Sequence, residues 1–135
     1  MLDKNEKDMI INLDESLNEN TPTTLPILPL KNIVTLPTSI VPVIVGRKSS
    51  ILAVEHAVKY NNKTIFVTAQ KHPDTEDPKL DDLFADGTIS TILQIIKMPN
   101  GSLKILVEGL QRAKITSLDE NNGDFLLAQI GRAHV

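Results

Sequence analysis

The sequence predicts a mainly β fold with one prominent helix, an α+β arrangement of short, mostly antiparallel strands around a twisted, partly closed sheet. Frequent turn signals between short apolar runs, a single stretch of helical periodicity and an Asn-Gly turn inside an alternating pattern support this prediction. Asn-Gly between two such runs is the strongest short-range hairpin signal, because both residues tolerate the positive φ of a tight turn. We therefore expect a hairpin from Asp86 to Ala113, with its turn at Pro99-Asn100-Gly101.

The first part of the chain divides into a polar tail and an apolar entry segment. Residues 1–24 are acidic and polar, and they bury too little apolar surface to offset their ordering entropy. A disordered tail is therefore predicted, with a transient helix near Met9 to Leu17 as the alternative. Leu25–Leu30 contains two prolines and is predicted to be an edge strand or an extended entry segment.

A second apolar segment, residues 33–45, is interrupted by two prolines. The loop between these prolines is predicted to present Leu36, Pro37 and Ile40 outward. Exposed apolar patches often mark protein contacts, which makes these three side chains candidate binding residues. The alternative is that they are ordinary core residues at the end of a strand.

The helix is predicted to follow Gly46, with Ser49 or Ser50 capping its first N–H groups. Its apolar residues recur at helical spacing, so one face is expected to be buried, while Glu55 and Lys59 lie near a polar face. Asn61-Asn62 is expected to end the helix. The residues predicted to form its buried stripe are Ile51, Val54 and Val58.

The remaining segments are predicted from composition. Thr64–Ala69 is β-branched and apolar, which favours a buried strand. The polar segment Gln70–Lys79 is predicted to be a loop, and Leu80–Phe84 is expected to contain one short helical turn. Beyond the hairpin, Ile115–Leu118 is predicted to form a further strand, and Phe125–Ala128 the start of the last one.

Composition excludes several classes of function. The formal charge of −3 gives no reason to expect nucleic-acid binding, which requires a surplus of Lys and Arg on one face. The chain has no cysteine, so disulfides and thiolate-bound metals are excluded. No signal-peptide pattern and no apolar run of membrane-spanning length is present. We therefore expect a soluble, cytoplasmic protein that does not bind a membrane.

No motif for catalysis or cofactor binding is found. Gly46-Arg47-Lys48-Ser49 precedes a helix but lacks the longer glycine-rich loop that surrounds a phosphate, so helix capping explains it better. His56, His72 and His134 lie far apart and show no ligand spacing. No Ser or Thr is placed beside a base. Catalytic, cofactor-binding and metal-binding residues are therefore not predicted in this chain.

Two segments together resemble a known family. Val107–Ala113, Val-Glu-Gly-Leu-Gln-Arg-Ala, leaves the hairpin, and Leu25–Leu30, Leu-Pro-Ile-Leu-Pro-Leu, stands well before it. The pair resembles the amino-terminal domain of the ATP-dependent protease Lon, over residues 25–129. The resemblance implies a PUA-like pseudo-barrel. Within the first segment, Gly109 is expected to permit an unusual backbone angle, Leu110 to pack inward and Arg112 to bind a neighbouring carbonyl or carboxylate.

The resemblance also implies a function. Lon amino-terminal domains engage damaged or unfolded proteins and help to organise a hexamer, so Leu36, Pro37 and Ile40 become candidate substrate-binding residues. The ATPase, which uses ATP and Mg, and the Ser–Lys peptidase are expected in parts of the protein that this chain does not include. The alternative is a stand-alone binding module without enzymatic activity. RNA binding is disfavoured by the acidic balance and by the absence of a basic or aromatic stripe.

The last residues depart from the family pattern. Back-translated as CAG ATC GGA AGA GCA CAC GTC, residues 129–135 spell a widely used sequencing-library adapter. We therefore expect residues 130–135 to be a non-native tail from adapter read-through, and the chain to be a truncated record of a longer protease.

Overall fold

The computed structural model describes residues 23–31, 36–118 and 124–132, which form a six-stranded sheet and one α-helix. The helix, α1, spans Lys48–Tyr60, and a short 3-10 turn spans Leu80–Asp82. The strands are β1 (Thr23–Leu30), β2 (Ile40–Val45), β3 (Thr64–Ala69), β4 (Asp86–Lys97), β5 (Leu103–Leu118) and β6 (Leu127–Arg132).

The sheet closes on itself. Its strand order is β2-β5-β4-β3-β1-β6, and β5 pairs additionally with β6. β1 and β3 are parallel, whereas the other pairs are antiparallel. The prediction of a mainly β, partly closed barrel with one helix is confirmed.

The predicted hairpin is formed by β4 and β5. Across its turn the N–H of Met98 donates to the carbonyl of Ser102 at 2.9 Å, and Gly101 has a φ of +91°. Gly101 is the one described glycine with positive φ, whereas the φ of Asn100 is not positive, so only the second residue of the Asn-Gly pair adopts the conformation on which the signal rests. The prediction of a separate strand over Ile115–Leu118 is wrong, because these residues continue β5, which is 16 residues long.

β1 lies inside the sheet, so the prediction of an edge strand or entry segment is wrong. Thr23–Pro26 pairs with β6, and Ile27–Leu30 pairs with β3. Each half of β1 therefore uses mainly one side of its backbone for strand pairing. This arrangement accommodates two prolines, each of which lacks an N–H, in an interior strand.

α1 packs against β1 and β3. The predicted serine cap is wrong, because the N-cap residue is Arg47 and no side chain caps the helix. The predicted buried stripe is only partly correct, since Val58 is 39% exposed. Small side chains allow close contact with the sheet, so the buried face is instead Ser50, Ala53, Val54 and Ala57.

Two clusters of buried side chains fill the molecule, one under α1 and one towards the opposite end of the barrel. Phe66, in the predicted buried strand β3, is fully buried in the second cluster. Ile130 belongs to the same cluster and is 2% exposed. Ile130, Gly131 and Arg132 are thus part of β6, while the read-through origin of their codons stays a prediction.

The predicted tail lies mostly outside the described residues. β1 begins at Thr23, so Thr23 and Thr24 belong to the fold and not to the tail. Residues 1–22 and 133–135 are not among those that the structure describes.

Candidate functional site

The outward face of β2, β5 and the end of β4 forms a continuous surface. Strand register places Ile44 beside Lys104 and Ile96, in one row across the three strands. The next rows are Pro42, Leu106 and Gln94, and then Ile40, Glu108 and Thr91. The residues that alternate with these point into the core, namely Val43, Val45, Leu103, Ile105 and Val107.

This face carries several exposed apolar side chains among polar ones, although the solvent side of an antiparallel sheet is normally polar. Ile40 is 56% exposed, Ile44 is 60% exposed and Ile96 is 47% exposed. Leu36 and Pro37 lie at the edge of the face, because Pro37 bridges to Gly109 in β5. We define the outer apolar surface as Leu36, Pro37, Ile40, Pro42, Ile44, Ile96 and Leu106.

The loop that carries Leu36 and Pro37 is fixed to β5. Thr38 donates its N–H to the carbonyl of Gly109 at 2.8 Å, and Gly109 donates its own N–H to the carbonyl of Ser39 at 2.9 Å. Thr38 has a φ of +68°, a conformation that a β-branched residue rarely adopts. The segment that carries the predicted binding residues is therefore hydrogen-bonded to β5 at Gly109.

The three predicted binding residues are brought together at one end of the outer apolar surface. Leu36 is 52% exposed and Ile40 starts β2 with its side chain outward, so neither is a core residue. Pro37 is half-buried beside Gly109. The structure thus favours the surface interpretation of this segment over the core alternative.

Sequence reasoning missed Ile44 and Ile96. Ile44 could have been found by counting, because it is four residues after Ile40 in a strand of period two. Ile96 could not be assigned to the outward face by counting, because the register shifts between Ile92 and Gln94, where Leu93 is the extra residue. A bulge of this kind reverses the alternation, and no simple sequence pattern announces it.

The family-marker segment Val107–Ala113 is architectural, although its details differ from the prediction. A register shift makes Leu110 the extra residue, because Ile89 pairs with Gln111 and Ser90 with Gly109. Leu110 is 50% exposed and does not pack inward. The φ of Gly109 is not positive, and Arg112 is exposed without a hydrogen bond or ion pair to another described residue.

A polar cluster fixes the loop that follows β3. The Arg47 guanidinium donates to Gln70 Oε1, and Gln70 Nε2 donates to the carbonyls of His72 and Thr75 at 3.1 and 2.9 Å. Burial lowers the pKa of Arg47 below its usual value, and the carboxylate of Asp77 opposes that shift. Arg47 is therefore engaged in holding the loop, which is a structural role for the Gly46–Ser49 segment.

The described residues offer no evident catalytic chemistry. No group of three or more His, Cys, Asp or Glu side chains among them could hold a metal ion. His56 packs between the rings of Tyr60 and Phe125, with centroid distances of 4.9 and 4.8 Å. No helix in the described part of the chain is long and apolar enough to cross a membrane. The outer apolar surface provides apolar contact, and the sheet provides open strand edges.

Exposed apolar side chains that lie together on a folded domain often mark a protein contact, and comparisons with known proteins identify the class of domain. Residues 24–134 match the family model described as the ATP-dependent protease La (LON) substrate-binding domain, and the chain belongs to this family.

The curated relatives of this chain include Lon proteases from bacteria. The chain is 48% identical over 105 residues to the Lon protease of Vibrio parahaemolyticus, covering 78% of this chain and 13% of the relative. It is 45% identical over 101 residues to the Lon protease of Escherichia coli, covering 75% of this chain and 13% of that relative. The chain thus spans about an eighth of the length of these relatives.

Solved structures show the same fold. The N-terminal domain of Mycobacterium avium complex Lon protease superposes with a TM-score of 0.67 at 19% identity, covering 84% of this chain and 56% of that one. A Lon N-terminal domain protein from Xanthomonas campestris gives a TM-score of 0.62 at 17% identity, covering 83% and 60%.

Proposed function

We propose that this chain is the substrate-recognition and assembly part of an ATP-dependent serine protease that degrades damaged or unfolded cytoplasmic proteins. The outer apolar surface is the observation that carries the proposal. Side chains that are half exposed in a folded domain gain free energy when an unfolded partner covers them. Folded proteins bury their own apolar segments, so the surface selects chains that have lost their fold.

The geometry supports binding of extended segments. β2 pairs with β5 alone in the described part of the chain, so its other edge can accept an added strand. Backbone hydrogen bonds at such an edge are independent of side-chain identity, which suits a receptor for many different proteins. The outer apolar surface begins on this same strand, so both contributions act on one bound segment.

Weak contacts gain strength in an assembly. Six copies in a hexamer would hold one unfolded chain at several points, and the effective concentration would raise the overall affinity. In this proposal an ATPase module outside this chain, with ATP and Mg, unfolds the captured protein, and a separate peptidase module cleaves it. No residue of this chain is assigned to either step.

The double variant Leu36→Ser and Ile40→Ser tests the proposal. Removing two half-exposed apolar side chains should weaken binding of a permanently unfolded probe, reduced and carboxymethylated α-lactalbumin, by about thirtyfold, or ~2 kcal/mol. The thermal midpoint should stay close to that of the parent, because neither side chain is buried.

The matched control is Phe84→Ser. Phe84 is 51% exposed but lies beside the start of β4, away from the outer apolar surface. This variant should bind the probe as the parent does. Equal loss in both variants would indicate a non-specific effect of apolar area, and unchanged binding by the double variant would refute the proposed site.

A further inference from the structure

Two charged side chains of β5 lie within the outer apolar surface. Lys104 and Glu108 are on the outward side of the strand, and Leu106 lies between them on the same side. The register of β5 with β2 is unbroken over this stretch, so the three side chains share one face. The residues of β5 that alternate with them are buried in the core.

Neither charge has a counter-charge in the described part of the molecule. The side chains of Lys104 and Glu108 form no ion pair or hydrogen bond with another described residue. Lys104 is flanked by Ile44 in β2 and Ile96 in β4. Glu108 lies beside Ile40. A ligand that covers the outer apolar surface must therefore supply two counter-charges or leave both charges unpaired at a partly desolvated contact, which is unfavourable.

The spacing of the two charges defines the ligand. Residues two apart in a strand are about 7 Å apart, so Lys104 and Glu108 are about 14 Å apart along β5, with Leu106 halfway. An extended segment that packs on a sheet lies within about 30° of the strand direction, and its alternate side chains have the same spacing. Three successive facing side chains of such a segment therefore match Lys104, Leu106 and Glu108 in register.

We propose that the outer apolar surface selects extended segments in which an apolar residue has an acidic residue two positions to one side and a basic residue two positions to the other. The acidic side chain pairs with Lys104, the basic side chain pairs with Glu108, and the apolar side chain packs on Leu106. The bound segment partly excludes water from both ion pairs, which strengthens them relative to fully exposed pairs. The inference rests on the proposed function, because it names the class of segment that the same surface binds.

The two charges also fix the direction of the bound segment. Lys104 is the second residue of β5, next to the hairpin turn, and Glu108 lies further along the strand. The acidic residue of a captured segment therefore lies near the turn. A segment whose acidic residue comes first in sequence and a segment whose basic residue comes first bind in opposite directions.

Labelled peptides with the core Asp-Ser-Leu-Ser-Lys test the inference on the full 135-residue chain. Matched peptides have the same leucine-containing ends and carry Asp at both charged positions, Lys at both, or Ser at both. Fluorescence anisotropy at low salt should show about tenfold tighter binding of the oppositely charged peptide than of either like-charged peptide. In about 0.5 M NaCl this difference should largely disappear, because salt screens such pairs.

Charge reversal in the protein supplies the second measurement. Lys104→Glu should make the peptide with two lysines the tightest ligand, and Glu108→Lys should do the same for the peptide with two aspartates. Both reversals together should restore the preference of the parent, since the segment then binds in the opposite direction. Lys114→Glu is the matched control, because Lys114 is exposed on β5 outside the outer apolar surface, and it should leave the preference unchanged. The thermal midpoint of each variant reports that the domain is folded.

Two results would overturn the inference, namely equal binding of all the peptides by the parent or a preference that persists in Lys104→Glu. If equal binding is lost in the double variant Leu36→Ser and Ile40→Ser, the proposed function still stands without this charge selection. If no peptide binds the parent, the inference fails, and the measurement with unfolded α-lactalbumin decides the proposed function alone.

Discussion

Replacing Gly87 with alanine tests a position in the barrel where there is no room for a side chain. Gly87 lies in β4, where a Cβ would overlap the carbonyl oxygen of Val67 and stand 2.6 Å from the ring of Phe66. Neither neighbour can move freely. The ring is fully buried, and Val67 is held in β3 through its pairing with Thr88. The added methyl group must therefore push a backbone strand or a packed aromatic ring.

The cost can be estimated from overpacking in other cores, which destabilises by about 1–3 kcal/mol. In a domain of roughly a hundred residues, each kcal/mol lowers the thermal midpoint by about 4–8 °C. Gly87→Ala should therefore melt about 5–20 °C below the parent. Thermal unfolding followed by circular dichroism measures this shift, and urea unfolding gives the free energy independently.

Gly46→Ala is the matched control for this experiment. A Cβ at Gly46 would meet nothing within 4 Å, and its φ lies outside the left-handed region. Alanine there should be neutral or stabilise by up to about 1 kcal/mol, since it restricts the unfolded chain. If Gly87→Ala melts no lower than Gly46→Ala, the added methyl group does not clash with Val67 and Phe66 as expected.

Two further predictions concern the hairpin turn and the end of the chain. Gly101→Ala places a side chain at a φ of +91°, where no neighbouring atom lies within 4 Å, so backbone strain alone should lower the free energy of unfolding by about 1–2 kcal/mol. Urea unfolding measures this change, and an unchanged free energy of unfolding would contradict the prediction. Long-read sequencing through the genomic locus should show a different codon run after Gln129 that continues in frame into an ATPase motif and a Ser–Lys peptidase. A native Ile-Gly-Arg-Ala-His-Val run that ends in a stop codon would refute read-through and favour the stand-alone module.

Local signals predicted the parts of the fold that depend on local chemistry. The hairpin turn follows from Asn100-Gly101, and β3 follows from its β-branched composition. The polar loop after β3 and the short turn at Leu80 were also predicted, because their composition admits few alternatives. In each case the residues that decide the structure lie within the element itself.

Long-range pairing decided the parts that could not be predicted. The prolines of β1 indicated an edge, but partner exchange along the strand places it between β3 and β6. Val58 has the spacing of a buried residue, yet the sheet ends below it and leaves a groove. The same limit applies to the candidate site. Leu36 and Ile40 were predicted from nearby prolines, whereas the outward position of Ile96 depends on the bulge in β4, which the sequence did not predict.

The pairing of β1 with β6 has a consequence for how this domain is made. Thr23 lies opposite Ile130, so strands from the two ends of the described chain must meet before the barrel closes. Contacts between residues so distant in sequence slow folding, because a long loop must be ordered first. On the ribosome, the first half of β1 must wait for β6, the last of the described strands, to be synthesised. During that interval the nascent chain exposes apolar surface of the kind that a quality-control protease is proposed to recognise.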